Sequence, residues 1–272
     1  MPQSAQTPIH ISVINASTVL HDDEIQPVVS ALQKQVTHDF LPPWGVNAKL
    51  TFVPNGEKPD PGTWWLTLLD DSDQAGALGY HDLTNEGLPI GKVFAGTDLK
   101  YGTSWSVTAS HELLEMLGDP NINLSVLVQK HKATAGTLYA YEVCDACEDD
   151  SFGYEIDKVL VSDFVYPSWF ESFRPAKSTQ FDQQGKITRP LELLKGGYIG
   201  VFNISSGSGW TQITAEEMPT NTKLRGNVGS RRERRGVPHE DWVRSLPHPE
   251  ITSNAAKYRK RISEVAARRK AA

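Results

Sequence analysis

Apolar residues recur every three or four positions from Ile25 to Phe40: Ile25, Val28, Val29, Leu32, Val36 and Phe40. That spacing gathers them on one face of a helix. Asp22 or Asp23 is placed to cap it, for a start near Glu24. Pro27 then falls in its first turn, where a missing N–H does no harm, and Pro42-Pro43 ends it. Upstream, His10-Ile11-Ser12-Val13-Ile14 alternates and is β-branched, which predicts a strand. Residues 48–53 and 64–69 predict two more, the second apolar enough to be central. Two short strands, 77–81 and 92–95, are predicted on either side of a loop, the first as an edge strand carrying His81. A second helical pattern follows Thr103 or Ser104 and stops at Gly118-Asp119-Pro120. Downstream the helical period fades. Residues 126–129, 137–144 and 198–204 predict strands, 152–157 with 158–165 a hairpin, and 167–170 a loop or short helix. Ser205-Ser206-Gly207-Ser208-Gly209 lacks the Lys-Ser/Thr of a phosphate loop and reads as a turn.

This order predicts an α+β protein. Residues 1–8 form a leader and 9–222 the folded domain. Within it, 9–120 carry a twisted mixed sheet and the second helix, and 121–222 a smaller, mainly β or irregular subdomain. Residues 223–272 form a basic tail. Charge sharpens that last boundary. From Lys223 onward there are 14 Lys/Arg against 5 Asp/Glu, a net of +9, while residues 1–222 carry −15 of the overall −6. The tail could neutralise phosphates, but Trp242 and Tyr258 are its only aromatics, so no base-stacking platform is apparent. Nucleic acid is not the expected partner, although the tail leaves it open. No apolar run approaches the roughly 18 residues that span a bilayer, and the N-terminus lacks the basic and apolar regions of a signal peptide. A cytoplasmic protein, or one exported without a recognisable signal peptide, is expected, with no membrane partner.

The second helix carries the candidate chemistry, His111-Glu112-Leu113-Leu114-Glu115. His111 and Glu115 are four apart and project to one face, with Glu112 about 100° round the axis. Ala109, Leu113, Met116 and Leu117 form a stripe on the opposite side, which leaves His111 and Glu115 facing out. The plain reading is a solvated His–Glu pair. The chemical reading is a metal site held by His111 and Glu115, with Glu112 as general base.

The pattern H-E-x-x-E resembles the H-E-x-x-H of zinc metallopeptidases, in which two imidazoles one turn apart hold zinc and the intervening glutamate acts as base. In the metzincin form, H-E-x-x-H-x-x-G-x-x-H, His111, Glu112 and Gly118 fall in register, Glu115 takes the second ligand slot and Asn121 the third. The element order of residues 9–120 is similar to the N-terminal subdomain of the zincins. HELLEMLGDP followed by an E-V-C-D segment also resembles a set of bacterial proteins. The resemblance implies a zincin-like fold, a peptide or protein substrate lying along the edge strand, and a zinc-dependent hydrolase. In the gluzincins a glutamate downstream of the helix is the third ligand. That makes Glu142 the first choice here, with Asp119 and Asp145 as alternatives. A site of one imidazole and two carboxylates is hard, so manganese, iron or calcium could replace zinc.

Other residues carry weaker signals. Cys144-x-x-Cys147 is half a zinc site or a redox pair at most, and structural thiols are the simpler reading. His81 is either a surface histidine or a substrate contact. Tyr154 and Tyr166 are candidate oxyanion donors. Trp64, Trp65, Trp169 and Trp210 read as packing residues. The expected function is a metal-dependent hydrolase, most simply a zinc peptidase. The alternative is a non-catalytic zincin-like scaffold with a structural metal or none.

Overall fold

The computed structural model describes residues 7–74, 77–129, 135–205 and 209–215. Leader residues 1–6, residues 206–208 of the expected turn, the expected domain end near Thr222 and the basic tail 223–272 lie outside the described residues. The class is α+β, with several sheets and few helices, as the pattern predicts. Contacts divide the chain into two compact units. The first runs to Leu113 and takes in Glu155–Val161. The second holds Leu114–Tyr154 and the chain from Ser162.

The first unit is built on a five-stranded sheet. Its strands are β1 (Ile9–Asn15), β2 (Ala48–Val53), β3 (Trp64–Leu69), β4 (Gly79–Leu83) and β5 (Pro89–Phe94), in the order β2-β1-β3-β5-β4. All pairs are parallel except β4 with β5, so the sheet is mixed and β4 is its antiparallel edge. Leu66 and Leu68 of central β3 are fully buried, as its apolar run requires. Helix α1 (Asp22–Lys34) buries Ile25, Val28, Val29, Ala31 and Leu32. Its Gln33 closes the β2 edge. Nε2 donates to the Ala48 carbonyl at 2.9 Å, and Oε1 accepts from the Leu50 N–H at 2.8 Å. An open edge is thereby satisfied without a partner strand.

Three differences from the predicted elements have local causes. The first helix starts at Asp22, so Pro27 sits in the second turn rather than the first. Nor does Pro42-Pro43 end it. The chain passes through a π-helical turn, Gln35–Phe40, into α2 (Leu41–Trp44), whose first turn accepts prolines because its N–H groups need no helical partner. The strand expected at 92–95 begins at Pro89 and yields at Ala95 to a short helix, α3 (Ala95–Tyr101), which AGTDLKY does not announce.

Helix α4 (Trp105–Gly118) forms where predicted, and Asp119-Pro120 ends it. Its surroundings differ from expectation. Every residue from Ser106 to Leu117 is buried, so the apolar stripe does not leave an opposite solvent face. Six apolar residues, Val107, Ala109, Leu113, Leu114, Met116 and Leu117, are nearly or fully enclosed. The larger side chains contribute about 1.5–3 kcal/mol each. The small polar residues of its first half each find a partner. Ser106 Oγ donates to the Leu160 carbonyl (2.6 Å), Thr108 Oγ1 to Asp98 Oδ1 (3.0 Å) and Ser110 Oγ to Gln35 Oε1 (2.7 Å).

In the second unit β6 (Ser125–Gln129) and β7 (Gly136–Ala140) form where strands were predicted, but β7 stops at Ala140 rather than at residue 144. The predicted hairpin is a short two-stranded ladder, β8 (Tyr154–Ile156) with β9 (Val159–Val161). Two further strands, β10 (Tyr198–Asn203) and the unpredicted β11 (Trp210–Thr214), complete an antiparallel sheet in the order β11-β10-β7-β6. No described helix is long and apolar enough to cross a membrane.

Residues 162–197 contain little regular structure, and two buried aspartates organise them. Asp182 accepts the N–H groups of Lys186 (2.8 Å) and Ile187 (3.0 Å), and Asp163 accepts those of Phe164 (2.8 Å) and Gln184 (3.1 Å). Burial, and then the charge and hydrogen bond of Asp182, push the Asp163 carboxyl up to about 8. The folded state therefore holds a proton that the unfolded chain releases near pH 4. Stability contributed by this proton is full at low pH and is lost as pH rises from about 4 through about 8. Thermal unfolding should show a stability loss on the order of 4 kcal/mol between pH 5 and pH 9. Asp163→Asn, which mimics the protonated form, should flatten that dependence. An unchanged slope in the variant would assign the loss to other groups.

Candidate metal centre

The sheet of the first unit prepares one side of α4. Along β4 the side chains alternate. Tyr80 faces away from the helix, paired with Lys92 of β5 and tied to it at 2.6 Å, with Asp73 joining both. Gly79 and His81 share the opposite side, and the register sets Gly91 of β5 across from His81. This face lies against Glu112. A Cβ on Gly79 would come within 2.8 Å of Glu112 Cγ and Oε1 and of Thr108 Cγ2. One on Gly91 would come within 3.5 Å of Glu112 Cβ. Gly79 makes room for the glutamate, Gly91 chiefly for Leu66, whose Cδ1 would lie 2.8 Å from a Cβ there, and His81 is the side chain set across from Gly91. Its Nδ1 is 3.7 Å from Glu112 Oε2, with both groups almost wholly removed from solvent. His81 is thus no surface histidine.

The second unit supplies the surroundings of Glu115, which is fully buried. Because β7 ends at Ala140, residues 141–144 are irregular, and Asp145–Cys147 form a single 3-10 turn closed by Cys147 N–H to the Cys144 carbonyl (3.0 Å). Strand alternation therefore does not govern where Glu142 and Cys144 point. Instead the Cys144 N–H donates to Glu115 Oε1 at 3.3 Å. Val143 packs where a Cβ of Gly118 would be, 2.8 Å from its Cγ1. Gly118 is the last residue of α4, and this close approach, beyond ending the helix, requires glycine there. Asp145 is buried and Glu142 half-buried. Each offers a carboxylate oxygen within 4.8 Å of one on Glu115.

On the helix itself His111 stands one turn before Glu115, and both are buried, at 7% and 0% exposure. Two groups of donors among the described residues could hold a metal ion, His111 with Glu115 and Asp145, and His81 with Glu115 and Glu142, so Glu142, the first choice as third ligand, is grouped with His81 rather than with His111. Asp119 is buried too, but its Oδ2 accepts the Leu124 N–H at 2.9 Å and stabilises the turn after the helix. Asn121, in the third slot of the metzincin register, is exposed in that turn.

The thiols of Cys144 and Cys147 are free and buried, which favours their protonated form. Burial first, then nearby carboxylates, push both well above the usual thiol range. That removes the thiolate a redox pair would need. Tyr166 donates to Gln183 Oε1 at 2.7 Å, and Tyr154 is half-buried in β8. Trp169 is buried, donates to the Glu192 carbonyl at 2.8 Å and meets Phe170 edge-on. His81 and the two β-hairpin glycines are what sequence reasoning missed about the surroundings of Glu112. The signal was the spacing Gly79-x-His81 in a strand whose partner carries Gly91.

No protein-family model matches the chain, and no curated protein or solved structure matches it either.

Gly79→Ala should be destabilising by about 1–3 kcal/mol, the range for overpacking a filled interior. The added methyl would displace Glu112 and Thr108, and urea denaturation measures the cost. A neutral result would show that the helix face yields without strain.

Proposed function

We propose that α4 is the metal-binding helix of a zincin-like hydrolase acting on peptide bonds. The observation that carries this reading is a buried donor set. His111, Glu115 and Asp145 are all buried, and each offers a ligand atom, the three lying within 4.8 Å of one another. Carboxylates gathered in an interior are unfavourable unless protonated, hydrogen-bonded or coordinated, and a bound divalent cation meets that need. His111 and Glu115 supply two ligands from one helix face. Asp145, the more buried of the two downstream carboxylates within reach of Glu115, is favoured as the third over Glu142. The mixed sheet with its antiparallel edge strand ahead of the helix supports the zincin-like reading.

A zinc ion supplies Lewis-acid polarisation of a carbonyl and acidifies water. Everything else falls to the chain. Glu112, one residue from His111 and confined by the hairpin glycines, takes the proton from the attacking water and returns it to the leaving amine. The hard donor set also accommodates manganese or iron.

The test is a set of titrations with Zn2+ and cleavage assays on a fluorogenic peptide library. Wild type should bind zinc and gain thermal stability, by about 4 kcal/mol at 1,000 times the dissociation constant, and chelation should remove that gain. His111→Ala and Glu115→Gln should lose both zinc binding and cleavage. Glu112→Gln should keep zinc and lose roughly 10²–10⁴-fold in kcat. Zinc binding with no cleavage of any peptide would instead favour a structural metal on a non-catalytic scaffold. Failure to bind zinc, manganese or iron would end the metal reading.

A further inference from the structure

We infer that His81 is a positioning residue: from β4 its imidazole fixes the carboxylate of Glu112 in one orientation on α4. The inference rests on the reading of Glu112 as the base and adds a residue outside the helix motif to it.

Three observations converge on this pair. The first is the contact itself, Nδ1 to Oε2 at 3.7 Å between side chains that are 1% and 4% exposed. The separation is in ion-pair range and slightly beyond a hydrogen bond, which a small side-chain adjustment would close. The second is the way β4 and β5 are cut back. A Cβ at Gly79 would press on the glutamate, and Gly91, across from His81, lies in ordinary contact range of Glu112 Cβ. His81 is the side chain of this hairpin that approaches the carboxylate. The third is what a glutamate needs. Its three side-chain torsions make it a poorly defined base unless something holds it, and holding a glutamate costs more side-chain entropy than holding most residues. Packing against Gly79 and Gly91 confines the methylenes, but a polar partner must select the direction of the oxygens. An imidazole does so in either charge state, because Nδ1–H is a donor in the imidazolium and in one neutral tautomer.

The pair also explains why a histidine sits on an edge strand with its side chain turned inward. Tyr80 and Lys92 hold the outward face of β4 and β5 through Asp73, which fixes the strand and hence the direction of His81.

The test uses two amide substitutions that differ in where they place a donor. Asparagine at 81 puts its Nδ2 near the position of Nδ1, and glutamine puts its Nε2 near that of the far ring nitrogen. In the full-length, zinc-loaded protein, with the fluorogenic peptide library as probe and zinc held by His111, Glu115 and Asp145, His81→Asn should keep zinc affinity and most of the cleavage rate; loss of zinc from both variants would make His81 a ligand and overturn the inference. His81→Gln should keep zinc affinity and lose roughly tenfold or more in kcat with KM unchanged, as expected for a misplaced group rather than a lost fold. Equal behaviour of the two variants would overturn the inference. A second measurement does not need cleavage. In protein labelled with 15N-histidine, the His81 Nδ1 resonance should be that of a protonated nitrogen and should move in Glu112→Gln. An unprotonated Nδ1, or a resonance indifferent to Glu112, would also overturn it. If wild type cleaves nothing while the resonance does respond, the base reading fails and the placement of Glu112 by His81 stands.

Discussion

Carboxylates gathered in the interior are the constraint on which this structure turns. An ionised carboxylate in a protein interior is tolerated only when paired, hydrogen-bonded or coordinated. Helix α4 and the turn after β7 enclose several, and all the lysines and arginines of the described residues stay nearer the surface. The arrangements around α4 follow from this. Gly79 opens the sheet face for Glu112, a histidine is turned inward from an edge strand, and the backbone N–H of Cys144 is aimed at Glu115.

The protein handles its buried acids in two distinct ways. Asp163 and Asp182 are wrapped by backbone. They accept four N–H groups between them, and one proton is held by the pair at neutral pH. That is the treatment of a structural carboxylate, fixed in place and neutralised locally. It substitutes for a sheet in a stretch with almost no strands. Glu112 is treated otherwise, with small residues beside it and an imidazole at its tip. An imidazole beside a buried carboxylate is the kind of surrounding that separates a chemical carboxylate from an architectural one.

Much of the first unit was legible in the sequence because its elements follow clean periods. The alternation of His10 to Ile14 and the apolar run Trp64 to Leu69 gave strands, and the spacing from Ile25 to Phe40 gave a helix. The motif His111-Glu112-x-x-Glu115 stood out for the same reason, since its position on a helix could be read from the caps at Thr103–Ser104 and Asp119-Pro120. Burial of that helix was not legible. An amphipathic stripe predicts one wet face, and nothing local reveals that Ser106, Thr108 and Ser110 will each meet a partner far along the chain, Leu160, Asp98 and Gln35. Glu142 was the first choice for third ligand by resemblance to the gluzincins, and spacing could not fix its direction because β7 ends at Ala140 and the chain beyond it is irregular. The pattern Thr137 to Cys144 is apolar enough for a strand, but its last residues turn to serve Glu115 instead. β11 escaped because WTQIT is too short and too polar to mark itself without its partner β10.

The π-helical turn at Gln35–Phe40 has a consequence of another kind. A π turn holds one residue more than the α turn it replaces, the usual trace of a single-residue insertion. Here that extra residue sets the angular position of everything between Gln35, which bonds Ser110, and the stacked pair Phe40 and Trp44. Shortening the segment by one residue would restore α geometry and turn whatever follows by about 100° about the helix axis. Residue number in this segment is therefore as constrained as residue identity. In comparing this chain with others, a one-residue gap between Lys34 and Leu41 should be read as a change of structure, not as ordinary loop drift.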